Sequence, residues 1–224
     1  MKKVILFFFI QIISVSLFSN PILESLVYKI RDPNTDKKEF REYLEKIGEY
    51  IAIDVAKNLN TKKQNIETVM QVKAEHNFVD EDIVLVTILR AGLPLFNGVF
   101  KVFPEAEAGF FAMQRNEKTL KASVDYVALP PIDNKTVIIA DTMLATGGSM
   151  LDAIKIVEKR NPKKIILICA LAAKEGIDNI LNRNPDIEIY PAYVDPILNE
   201  VGYIVPGLGD AGDRCYGNKI TVSH

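Results

Sequence analysis

Continuous apolar runs and amphipathic stretches alternate over most of this chain. Residues 36–60 place apolar side chains at helical spacing, which predicts a helix of several turns. From residue 83 onward, unbroken apolar runs of the kind found in strands buried on both faces alternate with helical patterns. The predicted strands cover 83–89, 108–113, 123–129, 135–141, 163–173 and 187–195, and the predicted helices cover 93–103, 149–161 and 175–184.

This alternation predicts an α/β fold in which helices cover both faces of a parallel sheet. Residues 61–80 are polar and mixed, which indicates a short arm or loop. The last thirty residues are rich in glycine and leave the alternation, so we interpret them as a functional appendage. No repeat, low-complexity tract or linker divides the chain, and we therefore expect a single domain over 20–224.

Charge and cysteine content exclude several classes of function. The chain has 224 residues and a formal net charge of −2, which provides no global attraction to nucleic acid or to an anionic membrane. Cys169 and Cys215 are far apart and match no metal-ligand spacing, and Cys169 lies in an apolar run typical of a buried thiol. The two histidines are isolated. These features argue against a structural zinc site and against a serine–histidine triad.

The amino terminus is open to more than one interpretation. Residues 1–19 combine two early lysines, an apolar stretch and small residues, and the first acid is Glu24. This is the outline of a secretory signal, and the stretch is too short for a comfortable membrane span. The alternatives are a first strand with an upstream extension, or a start codon placed too early.

Residues 137–150, VIIADTMLATGGSM, carry the clearest candidate chemistry. A predicted buried strand ends at Asp141, and a small, hydroxyl-rich loop leads to a helix that begins at Ser149. A doubly wound sheet presents its ligand crevice at this kind of position, where a strand passes into a loop. The alternative is a tight strand-to-helix turn in which Ser149 is a simple helix cap.

The composition of this loop suits a sugar phosphate. Gly147 and Gly148 can adopt positive φ, so amides of the loop and of the helix start can point at a phosphate. Thr146 and Ser149 add hydroxyl donors. Asp141, at the tip of the predicted strand, is placed to accept hydrogen bonds from sugar hydroxyls.

The order of strand, aspartate, four residues, TGGS and helix resembles the ribose-phosphate loop of type I phosphoribosyltransferases, which couple 5-phosphoribosyl-1-pyrophosphate (PRPP) to a nucleobase. The stretches 88–99, ILRAGLPLFNGV, 114–120, QRNEKTL, and 198–217, LNEVGYIVPGLGDAGDRCYG, are similar to the uracil phosphoribosyltransferase branch. The resemblance covers nearly the whole chain after residue 19. It implies the type I fold with a glycine-rich base-binding hood at 198–217. The implied reaction is uracil plus PRPP giving UMP and pyrophosphate, in pyrimidine salvage.

The resemblance also assigns the site residues. PRPP is expected on Arg90, Arg115, Asp141, Thr142, Met143, Leu144, Ala145, Thr146, Gly147, Gly148, Ser149 and Asp210. Uracil is expected on Ile204, Gly209, Asp210 and Ala211. The residues expected to act in catalysis are Arg90, Arg115 and Asp210, and no metal site made by the protein itself is expected.

From the residues alone, these assignments have plainer alternatives. Arg90 is equally typical of a surface ion pair, and Arg115 of a solvated loop charge. The loop 202–214 has the composition of a rigid surface turn. Its backbone groups can nevertheless match the acceptor–donor–acceptor edge of uracil, whereas cytosine reverses two of those positions and would leave buried polar groups unpaired.

Two positions depart from the family pattern. Thr142 stands where the family usually has proline, which adds a hydroxyl and loosens the backbone, so the rigidity of the loop is in question. GLPLF replaces the usual run after Arg90, and Pro94 then falls in the first turn of a helix, where proline is tolerated.

Further expectations follow from the resemblance. They are Mg²⁺ as cofactor, held mainly by ligand oxygens and water; a homodimer or higher homo-oligomer; GTP as an effector in some relatives; and a cytoplasmic enzyme without nucleic-acid or membrane partners. The alternatives are a non-catalytic sensor of PRPP or nucleotide on the same fold, a phosphoribosyltransferase for another base such as a purine, and a secreted protein with this fold.

Overall fold

The computed structural model describes residues 20–115 and 122–219, with side chains throughout except at 114, 115, 122 and 123. The signal-like segment 1–19 lies outside the described residues. Within the described ranges, no helix combines the length and the apolar character needed to cross a membrane.

The described residues form six helices and ten strands. The helices are α1 (Pro21–Arg31), α2 (Lys37–Ala56), α3 (Leu93–Val102), α4 (Gly148–Glu158), α5 (Lys174–Arg183) and α6 (Ala211–Tyr216). The strands are β1 (Thr61–Glu67), β2 (Lys73–Val79), β3 (Ile83–Leu89), β4 (Glu107–Arg115), β5 (Ala122–Ala128), β6 (Thr136–Leu144), β7 (Lys164–Ala173), β8 (Glu188–Asp195), β9 (Ile197–Leu198) and β10 (Ile204–Val205).

Six strands form the central sheet in the order β5–β4–β3–β6–β7–β8. Its neighbouring strands are parallel except at one edge, where β5 pairs antiparallel with β4. The predicted α/β class with a parallel sheet is confirmed. The antiparallel edge follows from the short link between β4 and β5, because a parallel neighbour needs a crossover of a dozen or more residues.

Helices cover both faces of this sheet, as the apolar strands predicted. Along β6, Ile138 and Ala140 pack in the cluster formed with α1, α2 and α3, whereas Val137 and Ile139 pack in the cluster formed with α4 and α5. The side-chain period of two sends alternate residues to opposite faces, so a strand buried on both faces is apolar throughout.

Strands β3 and β6 are adjacent and parallel, yet their following helices leave on opposite faces. Leu95 of α3 packs in one core cluster, and Ile154 of α4 packs in the other. Such a reversal opens a crevice at the carboxyl ends of the two strands, which is where open α/β sheets bind ligands. The fold therefore places the loops after Leu89 and after Leu144 at one site.

Two parts of the structure differ from the sequence prediction. Helix α1 was not predicted; Asn20 caps it by accepting hydrogen bonds from the amides of Ile22 and Leu23, and Pro21 occupies its first turn. Strand β6 was predicted to end at Asp141 but continues to Leu144, because its last residues pair with Leu171 and Ala172 of β7.

The polar segment 61–80, predicted as a short arm or loop, forms the antiparallel hairpin of β1 and β2, which is called the β1–β2 arm below. Its turn is exposed, and Val69 at the tip is 99% accessible. Exposed apolar residues recur along the arm at Ile66, Met70, Val72 and Phe78.

Candidate functional site

The loop after β6 has the backbone of an anion site. Gly147 precedes α4 with φ of 83°, a conformation that favours glycine, and the Gly148 N–H donates to Thr146 Oγ1 at 3.4 Å. Helix α5 supports the loop from behind, since a Cβ at Gly176 would lie only 2.2 Å from Ala145 O. The first turn of an α-helix leaves N–H groups without an acceptor inside the helix, so the start of α4 beside Ser149, together with the helix dipole, suits an anion.

Asp141 lies within β6, three residues before the strand ends, and not at its tip as predicted. It pairs with Cys169 of β7 in the sheet register, and its Oδ1 accepts the Thr142 N–H at 2.7 Å. Burial raises the pKa of the Asp141 carboxyl to about 7, and the Thr142 N–H opposes that increase. The Asp141 carboxyl therefore lies near the carboxyl end of β6, beside the strand that leads to Arg90.

The residues between Asp141 and the glycines are partly engaged in the core. Thr142 is 0% accessible, and its hydroxyl donates to Ala91 O at 2.7 Å. Leu144 is buried in the cluster of α4, and Met143 packs against the opposite cluster. The side chain of Leu144 thus serves packing, and that of Thr142 joins β6 to the segment after β3.

Arg90 follows β3 through a cis peptide bond with Leu89, and its guanidinium contacts the carboxy-terminal segment. Nη2 donates to Asp213 Oδ1 at 3.0 Å, and both terminal nitrogens lie 3.4 Å from Gly217 O. A Cβ built at Gly212 would lie 3.3 Å from Asp210 Oδ1 and 3.6 Å from Arg90 Nη2. The structure therefore brings Arg90 and Asp210 together around one glycine.

The carboxy-terminal segment folds as a hood of short elements, β9, β10 and α6. Asp210 caps α6 by accepting the Asp213 N–H at 2.9 Å. Ile204 and Ala211 are buried, whereas Gly209 is exposed with φ of 83°. Tyr203 of the hood is 44% accessible and is not a core residue.

Two arginines outside the predicted site hold the hood in place. Arg31 of α1 makes two hydrogen bonds, of 2.7 and 3.0 Å, to the buried Asp195 at the end of β8, and it also donates to Gly207 O. Arg214 donates to Ile30 O, Leu208 O and Asp32 O, and it stacks over Phe40. Bidentate guanidinium contacts of this kind fix orientation as well as distance.

Sequence reasoning missed these anchors and the Arg90–Asp213 pair. Arg31 and Asp195 are 164 positions apart, and no local pattern indicates that they meet. Asp213 and Arg214 do fall in the stretch that resembles the family, so that resemblance was a usable signal. Arg115 ends β4, beside β3 in the sheet, but its side chain lies outside the described residues, as does the loop 116–121.

A glycine turn follows β6, an arginine follows the neighbouring strand β3, and that arginine contacts a glycine-rich hood. That combination, on this sheet order, is the type I phosphoribosyltransferase class. The family model of uracil phosphoribosyltransferase matches residues 17–218. The chain belongs to the uracil phosphoribosyltransferase family.

Two relatives carry the name of this family, and one solved structure shares the fold. The uracil phosphoribosyltransferase of Dictyoglomus thermophilum is 42% identical over 201 residues, which is 89% of this chain and 97% of that protein. The enzyme of Bacillus licheniformis is 40% identical over 206 residues, or 92% of this chain and 99% of its own. The AQ2163 protein of Aquifex aeolicus superposes with a TM-score of 0.84 at 36% identity, covering 91% of this chain and 98% of that one.

Proposed function

We propose that this chain catalyses the transfer of the 5-phosphoribosyl group from PRPP to uracil, which forms UMP and releases pyrophosphate. One observation supports the proposal: the Gly147 turn and Arg90 follow the adjacent parallel strands β6 and β3, and Arg90 and Asp210 both lie beside Gly212. These parts come from distant segments of the chain, and folding gathers them where α/β sheets bind nucleotides. Family membership makes uracil the base.

Each part of the site has a proposed role. The amides and hydroxyls of residues 145–149 bind the 5-phosphate, and Asp141 accepts hydrogen bonds from the ribose hydroxyls. Arg90 binds the pyrophosphate, as does Arg115. The catalytic domain spans 20–224, and its segment 198–217 binds the base through main-chain groups of Ile204, Gly209 and Ala211, with Asp210 facing both substrates.

The reaction needs positioning more than acid–base chemistry. N1 of uracil forms a bond to the anomeric carbon as the bond from that carbon to pyrophosphate oxygen breaks, and the N1 proton passes to solvent. Positive charge develops on the ribose ring and negative charge on the leaving pyrophosphate, so Arg90 stabilises the departing group. Asp210, which lies with Arg90 beside Gly212, is the proposed hood residue facing the ribose.

Mg²⁺ fits this site as part of the PRPP complex. Within the described ranges, no three histidine, cysteine or acidic side chains gather as a metal cage. A hard cation that keeps several waters and binds phosphate oxygens suits a site of this kind. When bound, Mg²⁺ would neutralise pyrophosphate charge, and Arg90 would supply the positive charge of the protein.

The first experiment follows nucleotide formation from radiolabelled base. Purified protein with PRPP and Mg²⁺ is expected to convert uracil to UMP, with cytosine and hypoxanthine as parallel substrates. Cytosine places a donor and an acceptor against groups that match uracil, so we expect discrimination of roughly 10⁴-fold. Turnover of hypoxanthine in preference to uracil would overturn the choice of base.

The rival function is a sensor that binds PRPP without turnover. PRPP binding measured by calorimetry, together with absence of UMP, would establish it and overturn the catalytic proposal. The near-neutral charge of −2 speaks against a sensor that acts through nucleic acid. Repeating the assay with GTP tests the effector known in some relatives.

We propose that the chain works in the cytoplasm as a homodimer or a larger homo-oligomer. The exposed apolar side chains on the β1–β2 arm, including Val69, Met70 and Phe78, are of the kind that a second copy covers. Sedimentation velocity at micromolar concentration is expected to show no dominant monomer. A monomeric active enzyme would contradict the assembly, and activity found only outside cells would contradict the location.

A further inference from the structure

Thr142 connects strand β6, which leads into the proposed 5-phosphate loop, to the segment after β3, which carries the proposed pyrophosphate contact. Its backbone N–H donates to Asp141 Oδ1 and its hydroxyl donates to Ala91 O, each at 2.7 Å. Ala91 is the residue next to Arg90. One buried residue therefore joins the proposed ribose contact, through its backbone N–H, to the segment that carries the proposed pyrophosphate contact, through its hydroxyl.

The surrounding packing makes this connection short and rigid. A Cβ built at Gly92 would lie 2.8 Å from Ala140 O, so the segment after β3 lies directly against β6. Thr142 is 0% accessible, and water does not compete for its hydroxyl. The β-branched side chain also has few rotamers, which keeps the hydroxyl aimed at one acceptor.

We propose that Thr142 is a positioning residue whose hydroxyl fixes the Arg90 segment against β6 and thereby sets the affinity for PRPP. This inference rests on the proposed function. Thr142 acts through Ala91 and Arg90 and need not touch the reacting atoms. Threonine in place of the usual proline loosens the backbone at position 142. The hydrogen bond from the Thr142 hydroxyl to Ala91 O supplies rigidity in its place.

The test removes the hydroxyl while keeping the shape of the side chain. Thr142→Val leaves Ala91 O without this donor, and we expect KM for PRPP to rise roughly 5- to 30-fold, as a lost buried hydrogen bond produces. KM for uracil at saturating PRPP should stay within about twofold, because the base contacts the hood and not this segment. Thr142→Ser restores the donor and should return KM for PRPP to within about threefold of wild type.

Thr136 offers a matched control on the same strand. It is also 0% accessible, and its hydroxyl donates to Glu81 Oε2 at 3.0 Å, but it lies at the opposite end of β6. Thr136→Val should lower the melting temperature while leaving KM for PRPP unchanged. If Thr142 had a purely structural role, Thr142→Val and Thr136→Val would both lower the melting temperature and both leave KM for PRPP unchanged.

A direct binding measurement separates this inference from the catalytic proposal. Calorimetric titration of each variant with PRPP and Mg²⁺ reports affinity whether or not UMP forms. Weaker binding by Thr142→Val, rescued in Thr142→Ser, supports the positioning role even in a protein without turnover. Binding equal to wild type, or KM values for uracil and PRPP that rise together, would overturn it. If the valine variant does not fold, Thr142→Ala compared with Thr142→Ser gives the same comparison.

Discussion

Arg90→Ala is expected to reduce kcat/KM for PRPP by roughly 100- to 1000-fold, through a higher KM and a lower kcat together. The guanidinium is the proposed contact of the pyrophosphate, which gains charge as it leaves, so its loss weakens both ground-state binding and the transition state. Steady-state kinetics with varied PRPP at saturating uracil measure the effect. The kcat/KM of Arg90→Lys should lie between those of wild type and Arg90→Ala, since an ammonium keeps the positive charge but loses the paired N–H donors of a guanidinium.

Arg183 provides the control for this substitution. The Arg183 side chain is 44% accessible and forms an ion pair of 3.0 Å with Glu158. The Arg90 side chain is similarly 43% accessible and forms an ion pair of 3.0 Å with Asp213. Arg183 ends α5, away from the loops after β3 and β6, and exposed pairs contribute little to stability. Arg183→Ala should therefore keep wild-type kinetics. Unchanged kinetics in Arg90→Ala would remove Arg90 from the site.

Local patterns predicted most of the sheet and its helices. The stripe Met150, Ala153, Ile154 and Val157 is buried on α4, and β3 matches its predicted range. These elements are predictable because burial on a face imposes a period that a short window reveals. Helix α1 was not predicted in this way, because the apolar residues before Asn20 obscure where the helical period begins.

The candidate site could be proposed from motifs, while its internal contacts could not. Gly147, Gly148 and Arg90 indicate phosphate chemistry only together with the family resemblance, because a glycine turn and an arginine at a strand end are each also typical of a simple turn and of a surface ion pair. The Arg31–Asp195 pair and the Thr142–Ala91 bond depend on how distant strands register, which no single segment encodes. The position of Asp141 inside β6 likewise depends on pairing with β7.

Asp141→Asn is expected to stabilise the fold at pH 8 while it lowers activity. Burial raises the pKa of the Asp141 carboxyl from 3.8 to about 7, so the folded state holds a proton between about pH 4 and 7 that the unfolded chain has lost. The stability associated with this group is full below pH 4 and is lost as the pH rises through 7. The shift of the pKa from 3.8 to about 7 corresponds to a loss of at most about 4 kcal/mol in the free energy of unfolding at high pH. The loss is smaller in practice because Asp141 is only partly buried.

Urea unfolding of both proteins at pH 4 and pH 8 measures this effect. The two proteins share every other titrating group, so a difference present at pH 8 and absent at pH 4 belongs to position 141. We expect kcat/KM for PRPP to fall roughly 10- to 100-fold, since an amide accepts hydrogen bonds from hydroxyls more weakly than a carboxylate does. A variant less stable than wild type at pH 8 would show that the fold itself favours the charged carboxylate. The carboxylate at position 141 would then be explained by its contribution to stability, without a role in binding the ribose.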